Sequence, residues 1–158
     1  MFSTDVQRAD DRTLVLKRVF PCSPITLYRA MTEPELMKRW WAPTSLGVVV
    51  HSIEADVRVG GAYRYVFGPA GAPPMAFRGV YTVVEPAERV VYTQLFEPMP
   101  DTGEGLITAT YSAVEGGTLL VQREVYPSKE VLDGAIASGM ERGMRETLDQ
   151  LAALVAQP

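Results

Sequence analysis

The sequence predicts an α+β fold in which a curved antiparallel β-sheet wraps around a long C-terminal α-helix. Three observations support this prediction. Residues 128–155 carry one apolar helical stripe, residues 48–126 contain about six strand-like segments, and two short helices follow the first strand. Short turns join the strands, so neighbouring strands must pair antiparallel. Because no crossover helices separate them, a doubly wound parallel sheet is excluded.

Length, charge and composition exclude several classes of protein. The chain has 158 residues, a net charge of −4 and no basic run, which argues against a nucleic-acid partner. No segment approaches the roughly 20 apolar residues that cross a bilayer, and the first residues do not resemble a signal peptide. A lone cysteine, Cys22, excludes an internal disulfide. We therefore expect a single cytoplasmic domain over residues 1–158 with no membrane partner, in which residues 1–11 form a flexible tail.

The first third of the chain predicts one strand and two short helices. Residues 12–20 alternate between apolar and polar positions, which is typical of a strand. Ser23 is a favourable N-cap for a helix over residues 24–31, with a proline at its first position. Thr32 is expected to cap a second helix over residues 33–40.

The middle of the chain predicts about six strands with turn signals between them. These segments are residues 48–59, 62–67, 75–85, 89–97, 106–114 and 118–126. Glycine and proline clusters separate them. The longer loops, residues 68–74 and 98–105, are expected to gate access to the interior.

The C-terminal segment, residues 128–155, predicts a single amphipathic helix that begins at the N-cap Ser128. Its apolar stripe consists of Leu132, Ile136, Met140, Met144, Leu148, Leu151 and Val155. Gly139 and Gly143 interrupt the helix, and each costs about 1 kcal/mol relative to alanine. We expect the middle of the helix to lack bulk so that either a strand or a ligand can approach it.

Aromatic side chains recur at strand positions of matching parity, which favours an inward-facing set. Buried tyrosine hydroxyls need hydrogen-bond partners, so several inward tyrosines favour a cavity with water or a polar ligand over a dry core. Polar side chains share these faces, and a buried Glu124 would have a raised pKa and be the best acid–base candidate. The predicted ligand-binding residues are Trp40, Trp41, Tyr63, Tyr65, Phe77, Tyr81, Tyr92, Gln94, Phe96, Gln122, Glu124, Met140 and Met144. Ordinary core packing of these residues remains the alternative.

Other chemistry has little support in the sequence. One histidine, His51, and one cysteine cannot build a zinc site of the usual kind, and no GxSxG motif is present. Gly60 and Gly61 are not followed by the lysine–serine pair of a phosphate loop. We therefore predict no metal, no cofactor and no catalytic residue, and leave open whether the protein is an enzyme.

Four segments in order also resemble a known superfamily. They are TLVLKRVFPCSPITLYRAMTEPELMKRWWAP, DVRVGGAYRY, FRGVYTVVEPAERVVYT and YPSKEVLDGAIASGMERGMRETLDQL. Together they are similar to the START-like or SRPBCC helix-grip superfamily, in the branch named after the C-terminal domain of the activator of heat-shock-protein ATPase. The resemblance covers residues 13–154 and implies a sheet around a helix with a deep cavity between them. The position of Val83 is often acidic in this branch, in a motif of the form GxYxEV, and the chain departs from the motif there.

Three functions follow as expectations. The first is binding of a small apolar or aromatic molecule between the sheet and the C-terminal helix, as the resemblance implies. The second is an enzyme that acts on a polyketide-like or aromatic substrate with acid–base help from Glu124. The third is a co-chaperone with a heat-shock-protein ATPase as its partner. A homodimer is also expected, because isolated domains of this kind often pair.

Overall fold

The computed structural model describes residues 3–157 and has the predicted α+β architecture. All strands pair antiparallel in one eight-stranded sheet, in the order β1-β2-β8-β7-β6-β5-β4-β3. The strands are β1 (Asp5–Asp10), β2 (Thr13–Phe20), β3 (Val48–Ala55), β4 (Ala62–Pro69), β5 (Met75–Glu85), β6 (Arg89–Phe96), β7 (Gly105–Val114) and β8 (Gly117–Val125). The helices are α1 (Pro24–Thr32), α2 (Pro34–Met37), α3 (Lys129–Ala137) and α4 (Met140–Val155). Among residues 3–157, no helix is both long and apolar enough to cross a membrane.

The predicted N-terminal tail is wrong for residues 5–10, which form the edge strand β1. This strand pairs with β2 from Asp5 opposite Lys17 to Asp10 opposite Thr13. Nearly all of its side chains are exposed, so its sequence shows no alternation of burial, although Val6 packs against the core and Arg8 forms an ion pair with Asp133 at 2.7 Å. Residues 1 and 2 of the predicted tail lie outside the described residues.

The two short helices differ in how well the sequence predicts them. The Ser23 side chain accepts a hydrogen bond from the Thr26 amide at 3.4 Å, which confirms the N-cap of α1. The expected Thr32 cap is wrong, because the Thr32 hydroxyl donates to the Tyr28 carbonyl at 2.7 Å instead. α2 ends at Met37, and the turn after it is fixed to α1 by the Trp40 indole, which donates to the Ala30 carbonyl at 2.8 Å.

The predicted single C-terminal helix is divided into α3 and α4. Ser128 caps α3 as expected, since its side chain accepts from the Val131 amide at 3.2 Å. Gly139 has a φ of 84°, in the left-handed region where a helix cannot continue. The apolar stripe keeps its spacing across this break, so the pattern alone could not reveal it.

The packed core joins side chains of α1, α4, β2 and β8, and it continues to Ile53, Tyr65 and Tyr81 on β3, β4 and β5. Its most buried side chains include Phe20, Leu27, Leu120, Leu151 and Val155, all at most 7 % exposed. The interior beside the N-terminal half of α4, at Met140, Gly143 and Met144, is not filled in this way. The space left there forms the candidate site.

Candidate ligand-binding cavity

A cavity of about 540 Å³ lies between the sheet and α4. Side chains from β4 to β8, from the segment after α1 and from the α3–α4 junction line it, and most of them are apolar or aromatic. Leu46, Ser138 and Gly139 line it while remaining exposed, which places its opening at the break between α3 and α4. Its size and lining are those of a small-molecule pocket.

The fold brings most of the predicted site residues to this cavity. Those that line it are Trp40, Trp41, Tyr65, Phe77, Tyr81, Tyr92, Gln94, Gln122, Glu124, Met140 and Met144. The two predicted residues that do not line it are Tyr63 and Phe96.

Tyr63 lies flat against the sheet instead of facing the cavity. It sits opposite Gly79 on β5, and a Cβ at Gly79 would come within 2.8 Å of the Tyr63 ring. The missing side chain lets the Tyr63 hydroxyl reach across β5 and donate to the Thr93 carbonyl at 2.5 Å. Strand parity predicts the face of the sheet on which Tyr63 lies. It does not predict that the residue opposite on β5 is a glycine, which leaves room for the ring.

Phe96 lies at the end of β6 and lines a second, smaller cavity of about 70 Å³. Its ring packs on Phe77 with centroids 5.1 Å apart. The small cavity shares Gln94, Glu124 and Tyr126 with the large one, so these polar side chains lie between the two spaces.

An aromatic wall forms one side of the large cavity. The Trp41 ring meets Tyr65, Phe67 and Phe77 edge-on, with centroids 5.4, 4.9 and 6.2 Å apart. Phe67 and Phe77 stack on each other at 5.3 Å. Phe67 was outside the predicted set, although it shares parity with Tyr65 on the same strand. The wall offers ring faces and edges on which a flat ligand can pack.

A polar cluster at the end of β8 consists of Gln122, Glu124 and Tyr126. Glu124 is 8 % exposed and accepts two hydrogen bonds, from the Gln122 amide at 2.7 Å and from the Tyr126 hydroxyl at 3.0 Å. Burial raises the pKa of Glu124 above its ordinary value, and these two hydrogen bonds oppose the shift.

Tyr126 is a site residue that the sequence analysis missed. Its parity with Gln122 and Glu124 was the available signal. The Tyr126 hydroxyl also lies 3.5 Å from the Met140 sulfur, so it connects the end of β8 to the start of α4. Burial, and next the nearby Glu124 charge, raise the pKa of Tyr126, which keeps its hydroxyl protonated and able to donate.

The loop at the cavity opening is fixed to α4. The Gln150 side chain donates to the carbonyls of Trp40 and Ala42, both at 2.8 Å. Glu146 accepts hydrogen bonds from the Ser45 amide and hydroxyl. These contacts hold the residues before β3 against α4, where they face Gly143 across the cavity rim.

The cavity offers apolar contact, hydrogen bonding and one titratable carboxyl group. Throughout residues 3–157, no three His, Cys, Asp or Glu side chains are grouped so that they could hold a metal ion. Glu124 is the one carboxyl group that lines the cavity, and no Lys, Arg or His lines it within the described range.

Comparisons with known proteins agree with this fold. The family model described as Activator of Hsp90 ATPase homolog 1-like protein matches residues 21–156, which confirms the resemblance seen in the sequence. A crystal structure from Rhodobacter sphaeroides is 26% identical with a TM-score of 0.89, and the match covers 97% of this chain and 98% of that one. Another from Chromobacterium violaceum is 32% identical with a TM-score of 0.80, covering 93% and 99% of the two chains. No curated protein matches the chain.

Proposed function

We propose that this chain, which belongs to the Activator of Hsp90 ATPase homolog 1-like family, binds a small apolar or aromatic molecule in the cavity between its sheet and α4. One observation carries the proposal, the unfilled volume of about 540 Å³ behind aromatic walls. Protein interiors are close-packed and contain few voids larger than a water molecule. A space of this size that also holds a few convergent polar groups is the usual form of a ligand pocket.

The lining favours a flat ligand with an apolar body. The rings of Trp41, Phe67 and Phe77 present edges and faces along one wall. Met140 and Met144 lie on the opposite wall, where their flexible side chains can adapt to ligands of different outline.

Titration with the neutral apolar dye N-phenyl-1-naphthylamine tests the proposal. We expect saturable binding with enhanced fluorescence, since the dye would leave water for an aromatic cavity. Gly143 lines the cavity, and a Cβ there would only make ordinary contact with Pro43 at 3.5 Å. The larger side chain of Gly143→Leu is therefore expected to occupy ligand space and weaken dye binding about tenfold or more.

Gly134→Leu is the matched control for that variant. Gly134 lies in α3, outside the cavity lining, and has nothing within 4 Å of its Cβ position. It should leave the affinity for the dye unchanged. Absence of saturable binding to the unmodified protein, or equal affinities in the two leucine variants, would contradict the proposal.

A second candidate function is acid–base catalysis on a bound aromatic compound. The observation in its favour is the position of Glu124, a buried carboxyl in the cavity wall with a hydrogen-bonded tyrosine beside it. As a base, Glu124 would take a proton from the carbon next to a ligand carbonyl and return a deuteron from D₂O. Deuterium incorporation into 2-acetylnaphthalene, followed by NMR, tests this; exchange that is equally fast with Glu124→Gln excludes it.

A further inference from the structure

We infer that the cavity selects ligands whose polar end is a hydrogen-bond donor without negative charge, a hydroxyl or an amine, and that it excludes carboxylates. This inference rests on the proposed function, because it specifies the chemistry of the same ligand. It is carried by three features of the cavity: its charge, the free hydrogen-bonding positions at its polar end, and the small space beyond that end.

The charge of the lining works against anions. Glu124 lines the cavity, and within residues 3–157 no basic side chain does. Arg123, its neighbour in sequence, is exposed and lies on the other face of β8. A bound carboxylate would therefore meet a like charge when Glu124 is ionised, and neutral hydrogen-bond donors without any counter-charge when Glu124 is protonated. Both situations disfavour an anion.

Glu124 keeps hydrogen-bonding capacity for a donor. A carboxylate offers about four lone-pair positions on its two oxygens. Gln122 and Tyr126 each use one, on different oxygens, which leaves positions on both for a ligand hydroxyl or amine. Gln94 lines the same space, and its side chain makes no hydrogen bond within the described residues, so its amide can complete the contact.

The space beyond the polar cluster is small, and the exposed Gly103 forms part of its lining. The small cavity on its far side measures about 70 Å³. A water molecule occupies roughly 30 Å³ in the liquid, so this space holds about two waters or a group of a few atoms. A hydroxyl or an amine fits there, either in place of a water molecule or beside one.

A matched series of naphthalene compounds tests the inference by displacement of the bound dye. The series is naphthalene, 2-naphthol, 2-(aminomethyl)naphthalene and 2-naphthoate, which share one apolar body and differ in the polar group. We expect 2-naphthol and the amine to bind more tightly than naphthalene. At about pH 7.5, where the naphthoate is ionised, we expect it to bind at least about tenfold more weakly than 2-naphthol.

The variant Glu124→Gln assigns the selectivity to this carboxyl group. It keeps the shape of the side chain and removes its charge, so the amine should lose about tenfold in affinity while naphthalene is unaffected. Glu115→Gln, in the exposed turn between β7 and β8, is the control and should change nothing. If Glu124→Gln does not fold, as judged by its circular dichroism melting curve, the ranking of ligands on the unmodified protein decides the matter.

The outcomes separate this inference from the function beneath it. If neither the dye nor naphthalene binds, the proposed function fails and this inference fails with it. If both bind and 2-naphthoate competes as well as 2-naphthol, the inference alone is overturned. An equal loss of affinity for naphthalene and the amine in Glu124→Gln would overturn it as well.

Discussion

The two halves of α4 carry the same apolar stripe but face different surroundings. In the C-terminal half, Leu151 and Val155 are buried in the packed end of the core. In the N-terminal half, Met140, Gly143 and Met144 line the cavity. The C-terminal half therefore carries branched side chains that pack closely, whereas the N-terminal half carries flexible methionines and a glycine. The interior beside the first half is filled, and the interior beside the second is open.

β8 also changes along one face. Leu120 is 1 % exposed, belongs to the core cluster and also lines the cavity, whereas Glu124, two inward positions further on, belongs to the polar cluster. The inward face of β8 thus changes from apolar to polar along the strand. The difference shows that a uniform amphipathic pattern can fill a core at one end and line a cavity at the other.

The largest expected effect tests the packed half. Leu151→Ala removes a fully buried side chain from a core that cannot collapse around it, and should lower the free energy of unfolding by about 2–5 kcal/mol. Met144→Ala, in the half that lines the cavity, should cost clearly less stability and change the affinity for the dye. Urea unfolding of both variants measures this, and equal losses of stability would remove the distinction between the halves.

Substitution at Gly139, in the break between α3 and α4, should have the next largest effect on stability. Gly139 has nothing within 4 Å of its Cβ position, so Gly139→Ala meets only backbone strain at a φ of 84°. That strain should destabilise the protein by about 1–2 kcal/mol. Gly134→Ala, at a helical position that is equally free of neighbours, should instead stabilise it by about 0.5–1 kcal/mol. Thermal unfolding distinguishes them; a stabilising Gly139→Ala would mean that α3 and α4 can form one continuous helix.

A smaller effect of opposite sign is expected four residues further on. Gly143 has an ordinary helical backbone, and a Cβ there meets Pro43 at no less than 3.5 Å. Gly143→Ala should therefore raise the free energy of unfolding by up to about 1 kcal/mol. Since a methyl group takes little of the cavity, dye binding should remain. A loss of stability in urea unfolding would show that Gly143 is needed for close packing instead of for space.

The smallest expected effect is a difference between the unmodified protein and Glu124→Gln in how the free energy of unfolding changes with pH. The folded-state pKa of Glu124 lies above its ordinary value of 4.5 because the side chain is buried. As pH rises from 4.5 through the raised value, the unfolded chain releases this proton first and the folded state loses stability. Glu124→Gln has no such titration, so its stability relative to the unmodified protein should increase over that window. Urea unfolding of both proteins at about pH 4 and about pH 8 measures it; a difference that does not grow with pH contradicts the expectation.

The candidate site was predictable in part because strand parity and burial are linked. The inward face of β4, β5 and β6 could be identified from alternation, and the polar positions Gln122 and Glu124 from their shared parity. Tyr126 carried the same signal. Tyr63 shows the limit of the method, since only the pairing of β4 with β5 places it over Gly79 and away from the cavity.

The sequence by itself determined the antiparallel sheet, the closing helical segment and the inward aromatic faces, because periodicity, turn residues and caps act locally along the chain. Only the tertiary structure decided what has no local pattern. The edge strand β1 has no buried face to mark it, and the break at Gly139 interrupts no stripe. Whether Gly143 faces a packed neighbour or open space, and whether Glu124 is solvated or buried, depends on which residues from distant parts of the chain stand opposite them.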